Sequence, residues 1–180
     1  MRRYRRVLLT CAALMLGAAL QAHAQQVAEP TVKAAFLFKF AGYVEWPPSA
    51  FPRPDSPFVI GVLGADEVAT ELERIVPGRF VDGHPVVTRR LKEGEPPKAI
   101  HLLFVGRGES NLRATLRAAQ QQGVLAVTET ERGLELGSAI NFVTGDERVG
   151  FEVSLDSAER TGLRISSRML AVARRVLPKS

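Results

Sequence analysis

The hydrophobic pattern of this chain changes period as it runs. Between Pro30 and Trp46 the apolar residues recur at helical spacing: Val32, Phe36, Phe40 and Tyr43 form one stripe, and Leu37, Ala41 and Val44 widen it. Pro30 suits the first turn of a helix, and Pro47 biases Trp46 away from the α region, so the pattern predicts a helix ending at Trp46. This helix is apolar nearly all round. Phe36, Phe40, Tyr43, Val44 and Trp46 are expected to cover one face of a sheet, leaving Phe38 and Leu37 as a surplus for an interface. "PPSAFPRPDSP" follows as a connector with little prospect of regular structure.

Strands and helices then alternate. "FVIGVLG" is a continuous apolar run suited to a strand buried on both faces. "ADEVATELERIV" reads as a helix with Asp66 as its cap, and "HPVVTRRL" and "KAIHLLFVG" read as the second and third strands. "SNLRATLRAAQQQG" is a helix capped by Ser110 and stopped by Gly123, and "VLAVTET" is the fourth strand. This alternation predicts crossover units and a mostly parallel sheet flanked by helices. After Gly133, "AINFVTGDERVGFEVSL" holds two strands around a Gly-Asp turn, and Val149, Phe151 and Val153 alternate with polar or small residues as in an antiparallel hairpin. "DSAERTG" has the spacing of a capping box that starts at Asp156, and Gly162 is its stop. "LRI" is a short extended link, and "SSRMLAVARRVL" is expected to form a final helix with Arg174 and Arg175 in its last turn. The fold expected is therefore α/β, with an antiparallel hairpin near the C-terminus.

The first residues stand apart from this domain. "MRRYRR", "VLLTCAALMLGAAL" and "AHA" follow the order of a secretory signal peptide, with cleavage expected after Ala24 and a single domain over 25–180. Of the 24 basic and 19 acidic residues in the 180-residue chain, Arg2, Arg3, Arg5 and Arg6 belong to this leader, so the mature protein is about neutral. That removes the concentrated basic footprint of a nucleic-acid binder. The sole cysteine, Cys11, also lies in the leader, so an exported domain must be held by its core without disulfides. The protein is expected to be exported.

Candidate chemistry is sparse. His84, at the start of a strand, reads as a turn or surface residue, and His101, inside an apolar run, as a hydrogen-bonded core or edge histidine. Neither has ligand spacing, so no metal site, cofactor or catalytic set is expected. The loops bearing Gly64, Gly106 and Gly108 follow parallel strands, where open α/β sheets bind ligands, and are the candidate small-molecule loops. Arg113 with Arg117 reads as a solvated helix face.

"VKAAFLFKFAGYVEWP" and "GSAINFVTGDERVGFEVSLDSAERTGLRISSRMLAVAR" resemble the opening and closing signatures of the YfiR family, with "GVLG" and "HLLFV" fitting its strands between them. The resemblance covers nearly all of the mature chain. It implies a bacterial periplasmic regulator, not an enzyme, that represses a membrane diguanylate cyclase by binding the cyclase's periplasmic domain and so lowers cyclic di-GMP and biofilm formation. It further implies an outer-membrane lipoprotein that sequesters the regulator, and a homodimer. The chain departs from better-known relatives in lacking their cysteine pairs. A partner surface is expected around Glu152, Leu163, Ile165, Ser167 and Arg168, with Trp46 either a core plug or an anchor. The alternative reading is a periplasmic small-molecule sensor that serves another membrane receptor or a histidine kinase.

Overall fold

The computed structural model describes residues 28–145 and 148–178, so the expected leader and its cleavage point lie outside the described residues. Helix α1 spans Glu29–Gly42 and is followed by a two-residue strand β1 (Val44–Glu45) and a single 3-10 turn (Pro48–Ala50). The alternating part then runs β2 (Phe58–Leu63), α2 (Asp66–Ile75), β3 (Phe80–Val81), β4 (His84–Leu91), β5 (Leu102–Val105), α3 (Leu112–Gln121) and β6 (Leu125–Thr128). Helix α4 (Gly133–Leu136) leads into the hairpin β7 (Ile140–Gly145) and β8 (Arg148–Ser154), and the chain closes with α5 (Leu155–Arg160), β9 (Arg164–Ile165), α6 (Ser167–Leu170) and β10 (Arg175–Leu177).

Eight strands form one sheet in the order β10-β8-β7-β6-β5-β2-β4-β3. Its middle, β4-β2-β5-β6-β7, is parallel, whereas β7 and β8 pair antiparallel and β3 returns antiparallel onto β4. The α/β reading with a late hairpin is therefore correct. Two cores explain why the central strands are apolar without alternation. Phe58, Ile60, Phe104, Val127, Phe142 and Phe151 pack under α1 and α2 on one face, and Leu63, Leu103, Val105 and Ala126 pack under α3 on the other.

Several local readings are corrected. Helix α1 stops at Gly42, not at Trp46, because Val44 and Glu45 pair as strand β1 with Ile165 and Arg164 of β9. Leu37 is fully buried, since α1 packs against α2 as well as the sheet and so has two sides to bury, while Phe38 lies under the Arg79 guanidinium, 5.5 Å from its ring centroid. Neither Asp66 nor Ser110 caps a helix: Asp66 binds Arg90 at 3.1 Å, and the Ser110 hydroxyl donates to Glu93. The final helix is one turn long. Beyond it Arg175–Leu177 forms β10 parallel to β8, because the outer edge of β8 offers unpaired backbone groups. Strand β3 was missed although its signal was present: Asp82 and Gly83, both at positive φ, make the two-residue hairpin turn that an Asp-Gly pair favours.

The cap of α5 also differs from the expected box at Asp156. Ser154 ends β8 in extended geometry, and its hydroxyl accepts the Ser157 N–H at 3.2 Å. Asp156, in the first turn, pairs instead with Arg160. Ser154→Ala is expected to cost about 1 kcal/mol in urea unfolding, and Asp156→Ala distinctly less.

Candidate functional site

Two openings in the surface bring polar and aromatic residues together. The first is the crevice at the C-terminal ends of β2 and β5. Strand β2 connects forward to β4 on one side while β5 lies on its other side, so the strand order reverses there, and such a switch point is where open α/β sheets receive ligands. Gly64 and Gly106 lie at the mouth, and the Gly106 N–H donates to the Leu63 carbonyl at 2.8 Å. Gly108, at φ +91°, turns the loop behind them. The loops after β2 and β5 therefore meet, and Gly64 and Arg107 line a cleft of about 420 Å³, whereas Gly108 lines a separate opening beside it.

The floor of that cleft is occupied by the chain's own charges. The Lys33 ammonium, on α1, is bound by both Glu29, four residues before it, and Glu129, just past β6. The Lys33 side chain is 6% exposed and that of Glu129 10%, so both partners of this ion pair are desolvated. Arg107 completes the cluster: its backbone N–H donates to the Glu129 carboxylate at 3.2 Å and its Nε to the Glu129 carbonyl at 3.3 Å. The hydrogen bond from Lys33, above all, holds the Glu29 carboxyl below its ordinary value. Two cations thus face two carboxylates. Beside them a neutral network is equally self-contained. Thr128 donates to Asn141 Oδ1 at 2.8 Å, and the Thr130 N–H donates to the same atom at 3.1 Å. This crevice is arranged as a clamp between α1 and the sheet. Sequence reasoning found its glycines but not Lys33, which reads as a polar interruption in an apolar helix.

The second place is a groove between α1 and α6. Its floor is aromatic: Phe36, Phe40 and Phe151 lie with ring centroids 4.8–5.7 Å apart. Tyr43, 39% exposed, and Val172, 70% exposed, stand along it. Lys39 and Arg168 also line it, and among the described residues neither has an ion-pair partner. The groove measures about 210 Å³. It exists because the two-stranded sheet joins the ends of the chain: β1 pairs with β9, and the Ser166 N–H extends the ladder to the Tyr43 carbonyl at 2.9 Å. The two sequence signatures, far apart along the chain, meet here.

The residues expected at a partner surface are divided by the fold. Arg168 lines this groove, and Ser167, exposed, adjoins it at the start of α6. Ile165 is half-buried in β9, and Leu163 is buried in the core. Trp46 is half-buried, its Nε1 donating to the Ala41 carbonyl at 2.8 Å and its ring edge-on to Phe58. Glu152 lies on the opposite face of β8 from Phe151, opposite Arg175 of β10 and bonded to it at 2.8 Å. Arg174, placed by expectation in a helix turn, instead donates to the Gly145 and Arg148 carbonyls at 3.2 and 3.0 Å, over Gly145 and Gly150, which leave it room.

Among the described residues no helix is long and apolar enough to cross a membrane, and no cluster of side chains is suited to hold a metal ion. No curated protein is significantly similar to the chain. Among solved structures it is similar to a conserved domain protein from Vibrio cholerae O1 biovar El Tor, with a TM-score of 0.55 and 13% identity. That match covers 83% of this chain but only 60% of the Vibrio protein, and it speaks to the fold. The family model described as YfiR/HmsC-like matches residues 30–174, which takes in both signatures, the crevice and the groove, and the chain belongs to that family.

Proposed function

We propose that this protein is a periplasmic regulator that binds the periplasmic domain of a membrane diguanylate cyclase and holds the cyclase inactive, lowering cyclic di-GMP and biofilm formation. Membership of the YfiR/HmsC-like family supports a regulatory role. The observation that carries the reading is the groove between α1 and α6, an aromatic floor flanked by two cations that have no ion-pair partner among the described residues. Such a surface fits a partner segment that inserts an apolar side chain and brings carboxylates to Lys39 and Arg168. A rigid surface of this kind acts by preference: to repress, it must bind the inactive conformation of the cyclase more tightly than the active one, since equal affinity shifts nothing. An outer-membrane lipoprotein that releases repression would do so by competing for the regulator, and a homodimer would present the groove twice.

The test is intracellular cyclic di-GMP in the native bacterium with and without the gene. A rise on deletion, reversed only by an exported copy, is the expected result, and no change would overturn the reading. Lys39→Glu and Arg168→Glu in the complementing copy are each expected to weaken binding to the isolated cyclase domain about tenfold, with thermal unfolding little changed: among the described residues neither side chain has an ion-pair partner, and the carboxylate in the last turn of α1 costs at most about 1 kcal/mol. Unaltered affinity in both variants would place the contact elsewhere.

A further inference from the structure

The proline-rich connector, residues 47–57, is laid on the sheet by two histidines. At its first end the His101 imidazole, 8% exposed, has Nε2 3.1 Å from the Ala50 carbonyl and Nδ1 3.0 Å from the Val59 nitrogen. At its other end His84 Nδ1 stands 2.8 Å from the Ser56 carbonyl. Between them Phe51 is stacked on both rings, 3.6 Å from His84 at 4° and 4.6 Å from His101 at 20°. Trp46 leans edge-on against the same assembly, its ring 4.9 Å from Phe58 and 6.1 Å from His101.

The partners dictate the protonation state of His101. A backbone N–H only donates, so Nδ1 must be bare; a carbonyl only accepts, so Nε2 must carry the hydrogen. One neutral tautomer satisfies both contacts, and the imidazolium satisfies only one. We propose that His84 and His101 form an acid-operated clasp on the connector: a proton on His101 Nδ1 sets two donors against each other at Val59, breaks the clasp and loosens Phe51 beside the Trp46 ring.

The surroundings leave that proton unbalanced. Phe58 and Val59 of β2, Trp46 and Phe51 are uncharged. On the connector, Arg53 and Asp55 pair with each other at 3.0 Å in solvent. Lys98, in the loop leading into β5, is exposed, and its carbonyl takes Arg89. His84 is the titratable neighbour whose charge acts on the ring. Burial holds the His101 imidazole below its ordinary value, opposed by the Ala50 hydrogen bond and assisted by His84. For a base depressed in this way the unfolded chain binds the proton first. The clasp therefore contributes its full stability above the unfolded value of about 6.5, loses it as pH falls from there to the folded value, and is level below that. The clasp stands whether or not the α1–α6 groove is a docking surface.

The chain's single tryptophan makes the clasp readable. Trp46 fluorescence of the mature protein, titrated from about pH 7.5 to about pH 4.5, is expected to show a reversible one-proton change with its midpoint below about 6.5. His101→Asn, which keeps an acceptor near Val59 and cannot titrate in this range, is expected to flatten it, whereas His84→Phe, which keeps the stack, is expected to retain it. Nitrogen-15 spectra of the wild-type imidazoles and exchange of the Val59 amide give a measurement that needs no variant. Once His101 is charged, Val59 exchange corrected for intrinsic rate should quicken about tenfold or more. A Val59 amide still protected while His101 carries its proton, or a His101 that stays neutral to about pH 4.5, would overturn the proposal.

Discussion

Gly106→Ala is expected to lower the stability of this protein by about 3 kcal/mol, read as a fall of roughly 6–12 °C in Tm. Gly106 follows β5, its N–H bound to the Leu63 carbonyl at 2.8 Å, so the two strand ends are drawn together at the switch point of the sheet. A methyl group at residue 106 would overlap the Gly64 carbonyl oxygen and stand 2.8 Å from the Gly64 carbonyl carbon and 2.9 Å from Ala65 Cβ. Those atoms are backbone or fixed to it, so relief requires β2 and β5 to part, and overpacking of this sort is among the costlier single changes. Gly108, two residues on, provides the control. Its surroundings are open, but its φ of +91° suits glycine alone. Gly108→Ala should therefore cost about 1 kcal/mol through the backbone only. Equal losses at the two positions would show that close approach is not what demands glycine at Gly106.

That contrast also shows what a sequence can and cannot display. The strands β2, β5 and β6 are legible because strands buried on both faces read as unbroken apolar runs, and the glycines of the crevice because they punctuate such runs. The last segment was misread for an equally physical reason. Ser166 to Leu177 has helical spacing, but an unpaired edge on β8 competes for Arg175–Leu177, and a pairing partner four elements away leaves no local trace. The same holds for β1. Pro47 marks a boundary truthfully, yet the helix yields four residues earlier because β9 is waiting, 119 positions away at the Glu45–Arg164 pair. The residues expected at a partner surface are likewise divided by the fold. Arg168 reaches a groove, Leu163 faces the core and Glu152 the other side of the sheet, a division set by strand alternation and by how β9 is held. Lys33 escaped notice because a lysine in an apolar helix is normally solvated, and only the placement of Glu129 shows otherwise.

Lys33→Met removes the charge while keeping the buried stem, and is expected to cost about 3 kcal/mol in urea unfolding. The Glu129 carboxylate would be left in a desolvated crevice with the Arg107 N–H at 3.2 Å and the Arg107 Nε at 3.8 Å as its remaining support. Glu29, 42% exposed, can turn to water and adds little to the loss. The double change Lys33→Met with Glu129→Leu should recover most of the stability, because replacing a buried pair by apolar groups removes both desolvation costs at once. Acid acts on the same cluster with a definite sign. The Glu29 carboxyl is held below its ordinary value, first by the Lys33 hydrogen bond. Its small contribution is present above the unfolded value of about 4.3 and is lost as pH falls through the folded one, and Lys33→Met should weaken that dependence, leaving the smaller effects of Arg107 and Thr144. If Lys33→Met cost under about 1 kcal/mol, the cluster would have to be well solvated and the crevice open to ligands after all. The functional consequence separates the two ends of α1. Lys33 clamps its first turns to the end of β6, whereas Phe40 and Tyr43 shape the groove at its last, so a protein folded with Lys33→Met should keep its partner affinity while losing stability. Lys39→Glu should do the reverse.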